Sequence, residues 1–380
     1  MKKVKILWSG ITGRTGKEAQ EIAKNSDLVE IVAGICRSDS NFYNYDELDK
    51  IKEDFDVIID FSHKDSFDKI LDFAVKRKKP IIIGTAGLDD NQMKAFEKAS
   101  YVIPVFRGGN FRFDVKKFID DVVEYAKKCK EDNIELIETH YKTKKIPSET
   151  AKVVAKRVLD ETGKKVEIKS FLEYEELIND WKVADLNCRV VGFKELAKDV
   201  LNIAVMMKDK QPNGVYDLDR LFKEEQITKL TNFLVEAKKQ TYANENVKKQ
   251  LASRKGSFDY EYSSNDMIYH DTYFGGTNFI GEEVVYEKDD TPIWGMNYYG
   301  VTLDQKLSEE IVDKMLRPAL MQVGNEDIIP VRGPKEYVNG EYKYIFKVFG
   351  SLEYFEGEET ISKNNEKIYT LKCHGGLIKR

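Results

Sequence analysis

Val4-Lys5-Ile6-Leu7-Trp8-Ser9-Gly10-Ile11-Thr12-Gly13-Arg14-Thr15-Gly16 decides how the N-terminal half folds. A short apolar run ends in glycines spaced G-x-x-G-x-x-G, and a helical stretch follows from about Lys17 to Lys24. In that context the first glycine makes a tight turn, the second lets backbone N–H groups approach an anion, and the third lets helix and strand pack closely. The N-terminus of the helix then faces the loop with unpaired N–H groups and the positive end of its dipole.

Outward from this stretch, the next 100 residues alternate strand and helix. Val29 to Ile35, Asp56 to Phe61, Ile81 to Ile83 and Tyr101 to Phe106 read as strands, with helices near Asp65 to Lys76 and Asp90 to Ala99. Short runs apolar on both faces, separated by helices, predict an α/β unit with a doubly wound, Rossmann-like parallel sheet. In such a unit the glycine loop holds a dinucleotide pyrophosphate; an ordinary tight turn is the alternative. The second strand ends in Gly34-Ile35-Cys36-Arg37-Ser38. Cysteine stands where Asp or Glu would take a ribose hydroxyl, and Arg37 can pair with a 2′-phosphate, so NADPH is the expected cofactor and NADH the second choice. The plain alternative is a solvated surface arginine.

Residues 113–130 place Val115, Phe118, Ile119, Val122, Val123 and Ala126 at helical spacing. A strand from Ile134 to Glu138 runs into a polar loop, His140 to Pro147, followed by a helix from Ser148 to Glu161 and a strand from Lys165 to Tyr174. A helix from Phe193 to Lys208 ends at the turn Gln211-Pro212-Asn213-Gly214. These elements divide the first 222 residues into a dinucleotide domain, 1–112 completed by 194–222, and a small α+β domain, 113–193.

From about Lys223 the character changes. Thirteen of the twenty tyrosines lie beyond residue 222, in alternating stretches such as Phe258 to Tyr262 and Tyr342 to Val348. With the charged helix Glu224 to Lys239 and a helix from Ser308 to Gln322, residues 223–380 read as a separate α+β module. The concentration of Tyr, Trp and Gly suggests a sheet-lined pocket for a small aromatic or nucleotide-like ligand, with His270-Asp271 and Glu282-Glu283 as acid and base groups. The alternative is an aromatic core with solvated carboxylates.

Composition narrows the partners. At 41% hydrophobic and 33% charged the chain is that of a folded protein of two or three domains. Its 61 basic and 66 acidic residues are intermixed, which argues against nucleic acid as a partner. No apolar run reaches the roughly 18 residues of a membrane span, and no signal-type cleavage pattern follows Met1, so a cytoplasmic protein without a membrane partner is expected. Cys36, Cys129, Cys188 and Cys373 lie far apart and fit reduced thiols, and no histidine pair has metal-ligand spacing, so no metal is expected.

Seven strings in order make the first 222 residues resemble the dihydrodipicolinate reductase family. They are Gly10 to Gly16, Asp56-Val57-Ile58-Ile59-Asp60-Phe61-Ser62, Gly84-Thr85-Ala86-Gly87-Leu88, Gly109-Asn110-Phe111, Ile137-Glu138-Thr139-His140, Pro147-Ser148-Glu149-Thr150-Ala151 and Gly214-Val215-Tyr216-Asp217-Leu218. The resemblance implies NAD(P)H-dependent hydride transfer to a cyclic imine, in the lysine and diaminopimelate branch of amino-acid biosynthesis. It implies that Gly10, Ile11, Thr12, Gly13, Arg14 and Thr15 hold the pyrophosphate and that Arg37 lies by the adenosine ribose. Gly84, Thr85 and Ala86, with Gly108, Gly109, Asn110 and Phe111, would line the nicotinamide side. His140 and Lys144 would be the catalytic proton donor and cation, and Tyr141, Ser148, Glu149 and Thr150 the substrate-side residues.

Departures from the family pattern fall at the substrate. Tyr141 replaces a second histidine, Glu149 replaces a glycine, and the stretch between Ala151 and Phe193 is shortened. A carboxylate at Glu149 would repel a dicarboxylate. The alternative to an enzyme is therefore a nucleotide-binding sensor with a degenerate reductase half. Residues 230–380 resemble an uncharacterised domain also found in helix-turn-helix regulators, on strings such as Tyr273-Phe274-Gly275-Gly276-Thr277-Asn278-Phe279 and Trp294-Gly295-Met296-Asn297-Tyr298-Tyr299-Gly300. A small-molecule substrate and self-association are the partners expected.

Overall fold

Six parallel strands carry the glycine loop: β1 (Val4–Ser9), β2 (Val29–Ile35), β3 (Val57–Asp60), β4 (Ile81–Ile83), β5 (Pro104–Phe106) and β10 (Gly214–Tyr216). The computed structural model in which they are seen describes residues 2–108, 110–208, 210, 213–244, 246–264, 266–304, 311–326 and 328–378. Their spatial order is β10-β5-β4-β3-β1-β2. Helices cover both faces, as continuous apolar strands require. Helices α1 (Arg14–Lys24) and α6 (Lys194–Met207) pack with Ile6, Trp8, Ile59 and Phe106. On the other face α2 (Lys64–Arg77) and α3 (Asp90–Ser100) pack with Leu7, Ile58, Ile81 and Val105. Because β2 and β3 flank β1 on opposite sides, the strand order reverses there and the carboxyl ends of β1 and β3 bound a crevice.

A second sheet, in the order β7-β6-β8-β9, comprises β6 (Asn133–Tyr141), β7 (Lys165–Tyr174), β8 (Ile178–Val183) and β9 (Leu186–Val191). Strands β6 and β7 are parallel, joined through α5 (Glu149–Thr162), and the other pairings are antiparallel. Helix α4 (Phe113–Lys128) and α5 bury Val115, Phe118, Val122, Val154 and Val158 against Leu136 and Trp181. Two expectations need correction. His140 and Tyr141 are the last residues of β6 rather than part of a loop, and β8–β9 form a hairpin that the sequence does not announce. The hairpin turns at Ala184, which holds a positive φ of 49°, a position without the glycine or asparagine that usually marks such a turn.

The chain divides into two compact units, Met1–Phe222 and Lys223–Arg380. The helix α7 (Leu218–Gln240) carries the chain across that boundary. The second unit is an eight-stranded antiparallel sheet, in the order β11-β12-β13-β14-β18-β17-β16-β15. Its strands are β11 (Phe258–Ser264), β12 (Met267–Gly275), β13 (Asn278–Glu287), β14 (Pro292–Thr302), β15 (Glu336–Asn339), β16 (Tyr342–Ser351), β17 (Tyr354–Lys363) and β18 (Glu366–Leu377). Its core joins Leu234 and Ala237 to Trp294, Tyr344, Phe355 and Tyr369.

The helix expected from Ser308 to Gln322 is shorter among the described residues, which exclude 305–310. Val312–Leu316 is a π-helical turn leading into the α-helical Arg317–Leu320. Pro318 explains the irregularity, since it has no N–H for the carbonyl of Lys314. Asn339 Nδ2 donates to that carbonyl instead, at 3.1 Å. The turn expected at Gln211-Pro212 also lies outside the described residues. All four cysteines are free thiols, and no described helix is long and apolar enough to cross a membrane.

Candidate functional site

The loop after β1 is built around Gly10. Its φ is +80°, and a Cβ there would lie 2.3 Å from the carbonyl oxygen of Phe61 at the end of β3. Only glycine satisfies both conditions. A Cβ on Gly16 would meet the Ile11 carbonyl oxygen at 2.4 Å, so this glycine lets the first turn of α1 sit on the loop. Gly13 is the N-cap of α1 and brings no side-chain cap, and no acidic residue lies in the first turn. The N-terminal N–H groups of α1 are thus left to the crevice, with Gly13 and Arg14 exposed and Thr15 buried. Ile11 is buried in the core, and the Arg14 guanidinium lies 4.4 Å from the ring centroid of Phe193.

Beneath the loop sits a buried carboxylate that composition and motif spacing do not mark as special. Asp60 accepts from Ser9 Oγ at 2.7 Å and from Thr85 Oγ1 at 2.8 Å, and Gly84 N donates to its backbone carbonyl at 2.8 Å. Burial pushes its pKa up, and the hydrogen bonds from neighbouring serines and Thr85 pull against that rise. These contacts tie the carboxyl ends of β1, β3 and the segment after β4 into one rigid floor. Gly84 leaves room for the ring of Phe61, whose atoms would be 2.4 Å from a Cβ there. Phe61 in turn packs on Phe111 at 5.2 Å between centroids. Ala86 is exposed on the rim, Gly108 is half-buried, and Gly109 lies outside the described residues.

Arg37 follows β2, half exposed. Its Nη2 donates to Ser66 Oγ at 2.9 Å and lies 3.6 Å from Asp65, at the start of α2. The guanidinium is therefore held beside the end of β2 by weak surface contacts. An exposed pair of this kind contributes roughly 0–1 kcal/mol, little enough for a phosphate to displace.

Asn110 links the two sheets of this unit. Its Nδ2 donates to Thr150 Oγ1 at 3.3 Å, and its Oδ1 accepts from Arg112 N at 2.9 Å. Behind Thr150 lies a closed polar network on β6. Glu138 and His140 are wholly buried, with His140 Nε2 2.9 Å from Glu138 Oε2. Ser148 donates to Glu138 through N at 3.0 Å and through Oγ at 2.5 Å, and Ser170 Oγ donates at 2.6 Å. Trp181 Nε1 donates to Ser148 Oγ at 3.1 Å, and its ring meets that of His140 edge-on. Burial alone would raise the pKa of Glu138, but the hydrogen bonds from His140, Ser148 and Ser170 hold it at about 2.

A carboxylate that stays ionised can only accept, so the His140 proton facing it sits on Nε2. Among the described residues buried His140 Nδ1 has no hydrogen-bond partner. Tyr141 is half-buried, and Lys144 Nζ lies 5.9 Å from its ring centroid. Ser148 caps α5 by accepting from Ala151 N. Glu149 is exposed and ion-paired with Lys152 at 2.7 Å, which with Lys145 and Lys144 lowers its pKa. Its charge is partly neutralised and turned to solvent. Ser9, Asp60, Glu138, Ser170 and Trp181 join these networks without having been singled out from the sequence. The signal available for Glu138 was its place two residues before His140, on the same face of a strand.

In the second unit, strand alternation sorts the four acid–base candidates. Asp271 and Glu283 stand opposite one another on β12 and β13 and are buried, so they are not solvated carboxylates. His270 points the other way, with Nε2 3.0 Å from Asp259 Oδ1, and Glu282 pairs with Arg254. Among the described residues no three His, Cys, Asp or Glu side chains gather as a metal site.

A glycine loop with an open helix N-terminus, at the switch point of a doubly wound parallel sheet, defines the first unit as a Rossmann-type α/β fold. Comparison with known proteins agrees. Residues 4–111 match the family model described as dihydrodipicolinate reductase, N-terminus, and residues 271–378 match a domain of unknown function, DUF5680. The chain is 36% identical over 155 residues to a 4-hydroxy-tetrahydrodipicolinate reductase of Caldanaerobacter subterraneus, covering 40% of this chain and 62% of that protein. It is 35% identical over 166 residues to the enzyme of the same name from Zymomonas mobilis, covering 43% of this chain and 65% of the relative. A Rickettsia rickettsii protein of that name is 25% identical over its whole length, covering 57% of this chain. The matched stretch is thus just under two thirds of the length of the first two relatives. Among solved structures, a dipicolinate-bound dihydrodipicolinate reductase from Paenisporosarcina sp. TG-14 aligns at a TM-score of 0.46 and 16% identity, over 57% of this chain and 97% of that one.

Proposed function

We propose that residues 1–222 form an NAD(P)H-dependent reductase that adds hydride to a cyclic imine of the dihydrodipicolinate type. On this reading residues 1–112 and 194–222 hold the dinucleotide, and 113–193 form the substrate domain. The observation that carries it is the Gly10 turn, whose positive φ and close seat on the Phe61 carbonyl admit no Cβ, leading into an α1 without a side-chain cap. The match over residues 4–111 supports the same assignment.

NADPH, when bound, supplies the hydride. The chain's own part is binding, orientation and proton supply. The loop Gly10 to Thr15 would hold the pyrophosphate through the N–H groups left over once Ile11 N has donated to the Ile35 carbonyl and Gly13 N to the Gly10 carbonyl, and Arg37 would meet a 2′-phosphate. Gly84, Thr85 and Ala86, with Gly108, Asn110 and Phe111, would border the nicotinamide above the Asp60 floor. Thr150, fixed by Asn110, and the start of α5 receive a substrate carboxylate, with Lys144 as the neighbouring cation. Hydride addition leaves negative charge on the product nitrogen, which needs a proton. We assign that proton to His140 Nδ1, the ring nitrogen that Glu138 does not engage. Glu149, turned out to Lys152, leaves the anion site to Thr150.

Calorimetry of the full chain with NADPH and NADH, followed by an absorbance assay of NADPH oxidation with freshly generated dihydrodipicolinate, tests this. The expected result is cofactor binding and turnover, with His140→Ala lowering kcat by about 100-fold or more at unchanged cofactor affinity. Cofactor binding without turnover would overturn the reaction while leaving the nucleotide site standing. Arg37→Ala is expected to weaken NADPH by about tenfold and NADH hardly at all, measured in the same titrations. Equal loss for both would remove Arg37 from the 2′-phosphate.

A further inference from the structure

The second unit contains a cavity of about 390 Å³, a size suited to a small organic ligand. Its walls are aromatic: Tyr242 and Tyr273 lie edge to face at 5.9 Å, and Phe279 stacks on Tyr369 at 6.3 Å. Ionised groups on its lining can be accounted for one by one. Lys238 is ion-paired with Glu283. Arg332 donates twice to Glu359, from Nε and Nη2, each at 2.9 Å, and Glu359 also accepts from Tyr344 and Tyr369. Lys249 and Asp313 stand exposed at the rim, Lys249 over the ring of Phe258 and Asp313 beside Arg317.

That leaves Asp271. It is buried, it lines the cavity, and among the described residues it receives one hydrogen bond, from Tyr298 Oη at 2.7 Å, and no cation within 4.0 Å. Across the strand pair it faces Glu283, a second carboxylate already committed to Lys238. Lys238 and Arg332 act on it only from beyond ion-pair distance, each spent on its own carboxylate, Glu283 and Glu359, and a buried carboxylate without a counter-ion in contact is costly. Burial first, then Glu283, pushes its pKa above the usual carboxylate range. A ligand cation would relieve that cost twice, by pairing with Asp271 and by lying against tyrosine and phenylalanine faces.

We infer that this cavity is a binding site for a small organic amine carrying an aromatic or other flat apolar body, with Asp271 as the counter-ion for its ammonium group. The assignment concerns the second unit alone and does not rest on the reductase reading of the first. His270 and Glu282 take no part, since they lie on the opposite face of their strands.

Three probes with one ring system and different charge test it on the full chain: tryptamine, the neutral alcohol tryptophol and the anion indole-3-acetate. Calorimetry is expected to find tryptamine bound at one site per chain, tryptophol weaker by about tenfold or more, and indole-3-acetate not bound. Asp271→Asn keeps the shape and the Tyr298 hydrogen bond. It should weaken tryptamine by about tenfold or more, leave tryptophol unchanged, and not lower the thermal midpoint, because it removes an uncompensated charge. Tyr273→Leu should weaken both bound probes by removing a wall. No tryptamine binding, equal affinity for tryptamine and tryptophol, or a preference that survives Asp271→Asn would each overturn the proposal.

Discussion

Gly10→Ala is expected to reduce NADPH affinity at least about 100-fold and to lower the stability of the chain at the same time. Two independent causes act at one atom. The native φ of +80° is a conformation that costs an L-residue roughly 1–2 kcal/mol. The added Cβ would also stand 2.3 Å from the Phe61 carbonyl oxygen, a backbone atom fixed at the end of β3 rather than a side chain that can swing away. Relief requires the loop to lift from the sheet, and lifting it turns the N–H groups of α1 away from the place where a pyrophosphate would lie. Gly13→Ala is the control. Its φ is −69°, and its Cβ would lie 3.0 Å from the Gly10 carbonyl oxygen, so the fold should survive with a smaller loss of affinity. NADPH fluorescence titration and thermal denaturation, run on both variants, separate the effects. Gly10→Ala that still bound NADPH within about threefold of the parent would mean that this loop is not the pyrophosphate cradle.

The parallel sheet was legible because its strands are apolar on both faces and its loop is punctuated by glycines, signals that survive in one sequence. Val29 to Ile35 and Ile81 to Ile83 coincide with β2 and β4 for that reason. Polar residues inside the fold broke the same logic. In β6 the buried face runs Ile134, Leu136, Glu138, His140, a strict alternation whose last two members are polar and whose last, His140, reads as a loop residue. Their burial rests on partners that arrive from Ser148, Ser170 and Trp181, and one chain read in order does not announce that convergence. Asp60 was hidden in the same way, a carboxylate at the end of a hydrophobic run whose partners, Ser9 and Thr85, come from either side in the sequence. In the second unit the dipeptides His270-Asp271 and Glu282-Glu283 were seen as chemical candidates, but the period of two divides each pair between faces. The strand register, not the composition, selects Asp271 and Glu283.

Glu138 should prove the most sensitive position of residues 113–193. Removing its carboxylate by Glu138→Ala leaves the His140 ring, the Ser148 N–H and two serine hydroxyls without their acceptor in a largely buried network, and a loss of about 3–5 kcal/mol in urea unfolding is expected. Glu138→Gln keeps the volume but presents an amide N–H₂ to a ring of donors, so it should lose an intermediate amount. The pH dependence identifies the cause. The folded state holds this carboxyl at about 2 against an ordinary 4.5, so its contribution is fully present above about pH 4.5 and is lost as the pH falls towards 2. The amount at stake is on the order of 3 kcal/mol. Parent and Glu138→Gln stabilities should therefore converge through that window, since the amide has no proton to gain. Parallel curves would mean that Glu138 is not held ionised, and with that the Nε2 assignment on His140, and the proton we place on Nδ1, would fall together.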